Sequence, residues 1–104
     1  MNFKTTELFD KQAKKLGKKY RNIKSDLKTF LSNFETLHLQ ATSIKKNLFK
    51  VRIANTNKNK GKSAGYRVYY YIQLEETTYL LTIYDKSEVE MINEDLLIEL
   101  IEEI

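Results

Sequence analysis

Three cationic side chains occupy positions that two β-strands with alternating polar and apolar residues would place on one face of a sheet. Lys50 and Arg52 lie two residues apart on either side of an apolar residue, and Arg67 holds the matching polar position in a second alternating segment. Side chains two residues apart on a strand share one face, about 7 Å apart. Because like charges on one sheet face repel one another, we expect an anionic ligand to bind between them. An ordinary solvated face is the alternative interpretation.

The sequence around these residues is basic and carries aromatic side chains. Residues 45–67 include eight Lys or Arg and no acidic residue, which favours contact with a nucleic-acid backbone. The candidate RNA-binding residues are Lys45, Lys46, Lys58, Lys60, Lys62, Tyr69 and Tyr71. The two tyrosines suit stacking on unpaired bases, although tyrosine is also a common strand residue.

The residue inventory excludes several other chemistries. The chain has no Cys and a single histidine, His38, so a thiol nucleophile, a thiolate zinc site and a histidine metal cluster are excluded. The GKS of residues 61–63 has Thr56 where a phosphate-binding loop needs its first glycine. We therefore expect neither a metal nor a cofactor.

After these exclusions, the candidate chemistry is acid-base and electrostatic catalysis by Lys, Arg and Tyr side chains. Cleavage of RNA by its own 2′-hydroxyl needs a proton acceptor, cations around the phosphate and a proton donor for the leaving oxygen. A lysine acts as the acceptor when nearby cations and desolvation lower its pKa. Lys50 beside Arg52 and Arg67 satisfies that condition in the sequence.

Length and charge fit one small domain spanning residues 1–104. The net charge is +4, but residues 1–74 carry 17 Lys or Arg and 4 Asp or Glu, whereas residues 75–104 carry one Lys and 10 Asp or Glu. A basic body with an acidic end indicates a surface that faces a polyanion. Neither a secretory signal nor a stretch of 18 apolar residues is found, so we expect a cytoplasmic protein with no membrane partner.

Apolar residues recur at helical spacing near both ends of the chain. A first helix follows the candidate caps Thr5 and Thr6 and ends at Gly17. A second helix is predicted over residues 20–34, so that the two form an αα-hairpin. A final helix begins after the candidate cap Asn93.

Between the helices the apolar period changes to two. Strands are predicted over residues 48–54, 66–74 and 78–85, with a long basic loop at residues 55–65. Residues 2–4 could add a short edge strand. We therefore predict an α+β fold: an N-terminal αα-hairpin packed on one face of a small antiparallel sheet of three to four strands, followed by a C-terminal helix. This arrangement would leave the other sheet face open for function.

Four segments together resemble a known family. They are KKLGKKYRNIKSDL, LFKVRIA, GKSAGYRVYYYI and YLLTIYDKSE, in this order. In these segments the sequence resembles the RelE superfamily of toxins from bacterial toxin-antitoxin modules, and within it the HigB-like branch. The resemblance covers nearly the whole chain. It implies a RelE-like fold, a ribosome-dependent mRNA endonuclease acting in the ribosomal A site, and a cognate antitoxin as partner.

The resemblance also assigns roles to the cations. Lys50 and Arg52 match the paired basic residues of the family's second strand, Arg67 matches the arginine of its Gly-Tyr-Arg motif, and Lys86 matches the basic residue after the last strand. In family terms Lys50 is the candidate base and the other three cations stabilise the scissile phosphate.

The general acid is less directly matched. Ile92 stands where RelE itself has a C-terminal tyrosine, so Tyr84 or Lys86 would take the role, with Lys86 favoured by its position after the last strand.

Two alternative functions stay open: a ParE-like toxin that acts on DNA gyrase without nuclease activity, and an RNA-binding module without catalysis. The presence of all four family cations argues against the first, and the missing tyrosine favours the second.

Overall fold

A computed structural model describes residues 2–58, 65–74, 76–88 and 92–104 of the chain. These residues form one mixed five-stranded sheet with helices on both of its faces. The strands are β1 (Asn2–Thr5), β2 (Thr42–Lys45), β3 (Leu48–Ile53), β4 (Tyr66–Leu74) and β5 (Thr77–Asp85), and the helices are α1 (Glu7–Lys19), α2 (Ile23–Ser32), α3 (Phe34–His38) and α4 (Glu94–Glu102). The order across the sheet is β1-β5-β4-β3-β2.

The α+β class is retained, but the predicted arrangement of its parts is wrong. The chain begins with a strand, not a helical hairpin, and β1 runs parallel to β5, pairing Phe3 with Thr78. At the opposite edge, β2 pairs with β3 in antiparallel register. The sheet is therefore mixed and five-stranded instead of antiparallel with three to four strands. The edge strand expected at residues 2–4 is confirmed as β1. The other edge strand, β2, was not predicted, because its four residues are too few for alternation alone to identify it.

The helices also differ from the prediction at their ends. The Thr6 hydroxyl caps α1 by accepting a hydrogen bond from the Phe9 amide, but the helix continues past Gly17 to Lys19. The helix predicted over residues 20–34 is interrupted at Asn33, which separates α2 from α3. Within the described ranges, no helix is long and apolar enough to cross a membrane.

Two apolar clusters lie on opposite faces of the sheet. The first joins α1, α2 and α3 to the strand residues that alternate toward them, among them Val51, Val68 and Ile83. The second joins α4 to the other face, where Leu97 packs with Leu81 and its neighbours. The expectation of helices on one face only is therefore wrong, because the apolar stripe of α4 covers part of the face that carries the cations.

Gly65 is required where the chain enters β4. A Cβ built on it would lie 1.9 Å from the carbonyl oxygen of Ile53 on the adjacent strand. We expect Gly65→Ala to lower the free energy of unfolding by about 2 kcal/mol, since backbone atoms must move to admit the methyl group. Urea unfolding measures this loss.

Gly17→Ala is the matched control for that substitution. The nearest atom to a Cβ on Gly17 is the Ile23 methyl carbon at 3.6 Å, an ordinary contact, and Gly17 lies inside α1. Alanine is favoured over glycine in a helix by roughly 0.5–1 kcal/mol, so this variant should be as stable as the wild type or more so. Equal destabilisation of both variants would contradict the steric explanation.

Candidate functional site

A cavity of about 410 Å³ on the α4 side of the sheet collects the three predicted cations. It is lined by Gln40, Thr42, Lys50, Arg52, Arg67 and Tyr84, together with Val51. None of these lining residues is acidic. The cavity is therefore positively charged and contains both a hydroxyl-bearing aromatic residue and a lysine.

Strand register accounts for this convergence. Arg52 pairs directly with Arg67 across β3 and β4, and Arg67 pairs with Tyr84 across β4 and β5. Lys50 lies two residues before Arg52 on the same face and pairs with Thr42 of β2. Directly paired residues have Cβ atoms about 4.5–5.5 Å apart, so one row of side chains crosses three strands.

Arg67 is the most buried of the three cations. It is 9% exposed, whereas Lys50 is half-buried and Arg52 is exposed. Burial, followed by the charge of Arg52, lowers the pKa of the Arg67 guanidinium. Its Nη1 is buried and has no hydrogen-bond partner among the described residues. A buried cationic donor without a partner destabilises the fold, and an anion in the cavity would supply the missing acceptor.

Tyr84 faces the same cavity as a neutral phenol. Burial raises its pKa, and a hydrogen bond with Tyr69 adds to the effect, while the charge of Arg67 opposes it. The two tyrosine rings are stacked with centroids 6.0 Å apart. The hydroxyl of Tyr84 consequently carries its proton at neutral pH, as a general acid must.

The remaining predicted catalytic residue lies elsewhere. Lys86 is exposed beyond the end of β5, and its backbone amide donates to the carbonyl of Gly65 at 3.2 Å. It is not among the residues that line the cavity. Of the two candidates for the general acid, the structure brings Tyr84 to the cavity.

None of the predicted RNA-binding residues that the structure describes lines this cavity. The Lys45 ammonium lies 3.2 Å from the Glu94 carboxylate of α4, and Lys46 is exposed in the turn before β3. Tyr69 is 2% exposed and Tyr71 is half-buried, because both pack in the cluster under α4. Tyr69 therefore presents no open ring face in this structure. Lys60 and Lys62 lie outside the described residues.

Lys58 has a structural partner. Its ammonium lies 2.9 Å and 3.1 Å from the two carboxylate oxygens of the buried Asp85 and 5.3 Å from the ring centre of Tyr20. The hydrogen bond with Asp85 raises the pKa of Lys58 against the opposing effect of burial. Its charge is thus paired within the fold, at the end of β5 next to Tyr84.

Gln40 and Thr42 complete the cavity wall and were absent from the sequence-based set. Gln40 comes from the segment that leads into β2, and Thr42 is the first residue of that strand. Neither residue belongs to an alternating apolar pattern, so only the pairing of Thr42 with Lys50 reveals its place. Amide and hydroxyl groups at these positions can hydrogen-bond a phosphate or a ribose.

A scan of protein-family models and a search of curated proteins found no match to this chain. The cavity itself is therefore the main functional evidence. It brings together three cations, one neutral phenol and no carboxylate, a combination suited to binding and stabilising a phosphate.

Proposed function

We propose that this protein is an endoribonuclease that cleaves mRNA in the ribosomal A site, as the toxin of a toxin-antitoxin module. The observation that carries the proposal is the buried Arg67 guanidinium, whose Nη1 has no hydrogen-bond partner among the described residues, in a cavity shared with Lys50, Arg52 and Tyr84. Such a group favours a ligand that brings negative charge to it. The choice of mRNA as substrate and of the ribosome as partner comes from the resemblance of the sequence to HigB-like toxins.

The cavity supplies each group that cleavage by the 2′-hydroxyl needs. Lys50 carries the only amine among the described residues that line the cavity, and the resemblance makes it the candidate base, so we assign it the role of accepting the 2′-hydroxyl proton. The 2′-oxygen then bonds to phosphorus as the bond from phosphorus to the 5′-oxygen breaks. Arg52 and Arg67 stabilise the crowded phosphorane, and Tyr84 donates its proton to the departing 5′-oxygen. The products are a 2′,3′-cyclic phosphate and a 5′-hydroxyl.

The helical layer supports docking on ribosomal RNA. The exposed cations of α1, of the turn after it and of α2 are Lys11, Lys14, Lys15, Lys18, Lys19, Arg21, Lys24 and Lys28. Against them the same segment carries Glu7 and Asp10 at the start of α1 and the buried Asp26. A cationic face of this kind attracts phosphate backbones over several ångströms and orients the cavity on the opposite side of the sheet.

The proposed antitoxin would act on the cationic cavity. An acidic segment seated there would pair with Lys50 and Arg52 and give the buried Arg67 its missing acceptor. Such a segment would exclude the phosphate of mRNA by occupying the same site. The ribosome places the proposed activity in the cytoplasm.

Cleavage on programmed ribosomes tests the proposal. Purified wild-type protein should cut mRNA in the A site and leave a 2′,3′-cyclic phosphate, detected by primer extension and end-group analysis, while the same mRNA without ribosomes stays intact. Intact mRNA on ribosomes would reject the proposal. Tight RNA binding with no cut would select the non-catalytic module, and DNA damage before translation falls in induced cells would select the gyrase class.

A further inference from the structure

A second groove borders the cationic cavity on the same face of the sheet. It has a volume of about 440 Å³ and is lined by the apolar or aromatic residues Ile44, Tyr69, Ile92 and Leu97 and by the polar residues Lys50, Asn93 and Glu94. Lys50 lines both spaces. The groove and the cavity are thus neighbours that share one cation, and the groove has the apolar lining that the cavity lacks.

The two spaces follow each other along the strands. On β4, Arg67 lines the cavity and Tyr69, two residues later, lines the groove. Two residues on one face of a strand are about 7 Å apart. A register irregularity between Ser43 and Lys45 releases Ile44 from regular pairing, and its side chain packs with the cluster under α4. The groove therefore lies one strand step from the buried guanidinium.

We infer that this groove binds a nucleobase of the RNA strand whose phosphate occupies the cavity. The inference rests on the proposed function and names where its substrate is held. A nucleobase is joined to its phosphate through one sugar, so the two groups must be held side by side by neighbouring sites. A groove with apolar walls and a polar edge that holds a carboxylate, next to a cationic cavity, fits that pair better than it fits two phosphates.

The polar edge of the groove points to a class of base. Glu94 offers a carboxylate, one oxygen of which is 3.2 Å from Lys45. The Asn93 side-chain oxygen accepts from the Asp95 amide at 2.8 Å, which leaves its NH₂ group as a donor. A carboxylate accepts from the exocyclic amino group of a base, so the groove should prefer adenine, cytosine and guanine over uracil.

Binding of uncleavable RNA to the full chain tests this inference without the ribosome. The probes are 2′-O-methylated hexanucleotides of adenine and of uracil, and an abasic strand of the same length, followed by fluorescence anisotropy. We expect wild-type protein to bind the adenine strand about tenfold more tightly than the abasic strand. We also expect it to prefer adenine to uracil about fivefold.

Two variants address the groove, and a third serves as control. Ile44→Ser should bring the ratio of adenine to abasic affinity close to one, because it removes an apolar wall. Glu94→Gln should reduce the preference for adenine over uracil while keeping the shape of the groove. Leu39→Ser, at an apolar residue that is 85% exposed and lines neither space, should leave both ratios unchanged.

The outcomes separate this inference from the proposed function. Equal affinity of the wild type for all three strands would overturn the base site while leaving the phosphate site in place. Failure to bind any strand, the abasic one included, would overturn both the base site and the phosphate site as sites for RNA alone, whereas the proposed function is tested separately by cleavage on programmed ribosomes. An unchanged adenine-to-abasic ratio in Ile44→Ser would also overturn the groove assignment.

Discussion

Arg67→Met should slow ribosome-dependent cleavage by orders of magnitude while making the protein more stable. The guanidinium faces the proposed scissile phosphate, and loss of one preorganised donor to a transition-state anion typically costs 10²–10³-fold in rate. Single-turnover cleavage on programmed ribosomes should therefore slow by about 10³-fold. Arg67→Lys should recover part of the rate, because it keeps the charge but loses the two-pronged geometry of the guanidinium.

The gain in stability has a separate cause. In the free protein, Arg67 is 9% exposed, its Nη1 has no partner in the described part of the chain, and Arg52 is its direct cross-strand neighbour. Removing a buried donor that lacks an acceptor and relieving the repulsion should add about 1 kcal/mol to the free energy of unfolding. Urea unfolding in the absence of RNA measures it.

Lys4→Met is the control for the prediction that the cleavage rate falls while the free energy of unfolding rises. It makes the same kind of change at an exposed cation of β1, outside the cavity lining, and should leave the cleavage rate as it is. If Arg67→Met unfolded the protein, the arginine would be a structural residue. If it cleaved at the wild-type rate, the proposed role of the cavity would be wrong.

Strand periodicity was sufficient to predict the cationic row of the site. The alternation in β3 and β4 placed Lys50, Arg52 and Arg67 on one face, and the observed register pairs the two arginines directly. That inference needed only local pattern and antiparallel neighbours. It could not give the depth of Arg67, because burial depends on what the rest of the chain lays over the sheet.

What the sequence could not predict depends on long-range pairing. The four-residue strand β2 is recognised only through its partner β3. The edge strand at residues 2–4 was expected from the sequence, but not its parallel pairing with β5. The apolar stripe of α4 identified a helix, but nothing local to it says which sheet face it covers. In the same way, Lys58 looked like one more basic loop residue until the fold brought it to Asp85, which is 27 positions away.

Asp85→Asn should be among the most destabilising single substitutions in this protein. The carboxylate is fully buried and accepts hydrogen bonds from the Tyr20 hydroxyl, the Lys58 ammonium and the Ser87 amide. Asparagine would offer an NH₂ group to donors and leave the ammonium without its counterion. Breaking a buried pair in this way costs about 4 kcal/mol, which urea unfolding at neutral pH should show.

The same hydrogen bonds to Asp85 make the free energy of unfolding depend on pH in the acid range. Burial alone would raise the pKa of Asp85, but the hydrogen bonds from Tyr20, Lys58 and Ser87 outweigh it and lower the pKa from 3.8 to about 2. Ionised Asp85 therefore stabilises the fold fully above pH 4 to 5, and this contribution, about 2 kcal/mol, is lost as the pH falls toward about 2. Asp85→Asn should lack that part of the pH dependence, whereas Asp10→Asn, at an exposed carboxylate of α1, should keep it.

Lys58→Met distinguishes the two roles open to that lysine. Without the ammonium, Asp85 keeps its bonds to Tyr20 and Ser87 but loses the nearest positive charge, so its pKa should rise and the acid-induced loss of stability should begin at higher pH. Stability at neutral pH should fall by less than in Asp85→Asn, because the carboxylate stays partly satisfied. If Lys58→Met left the acid-induced loss of stability unchanged and weakened binding of the abasic strand, Lys58 would instead be an RNA-binding residue, as the sequence predicted. The ion pair at the end of β5, next to Tyr84, would then contribute little to the fold.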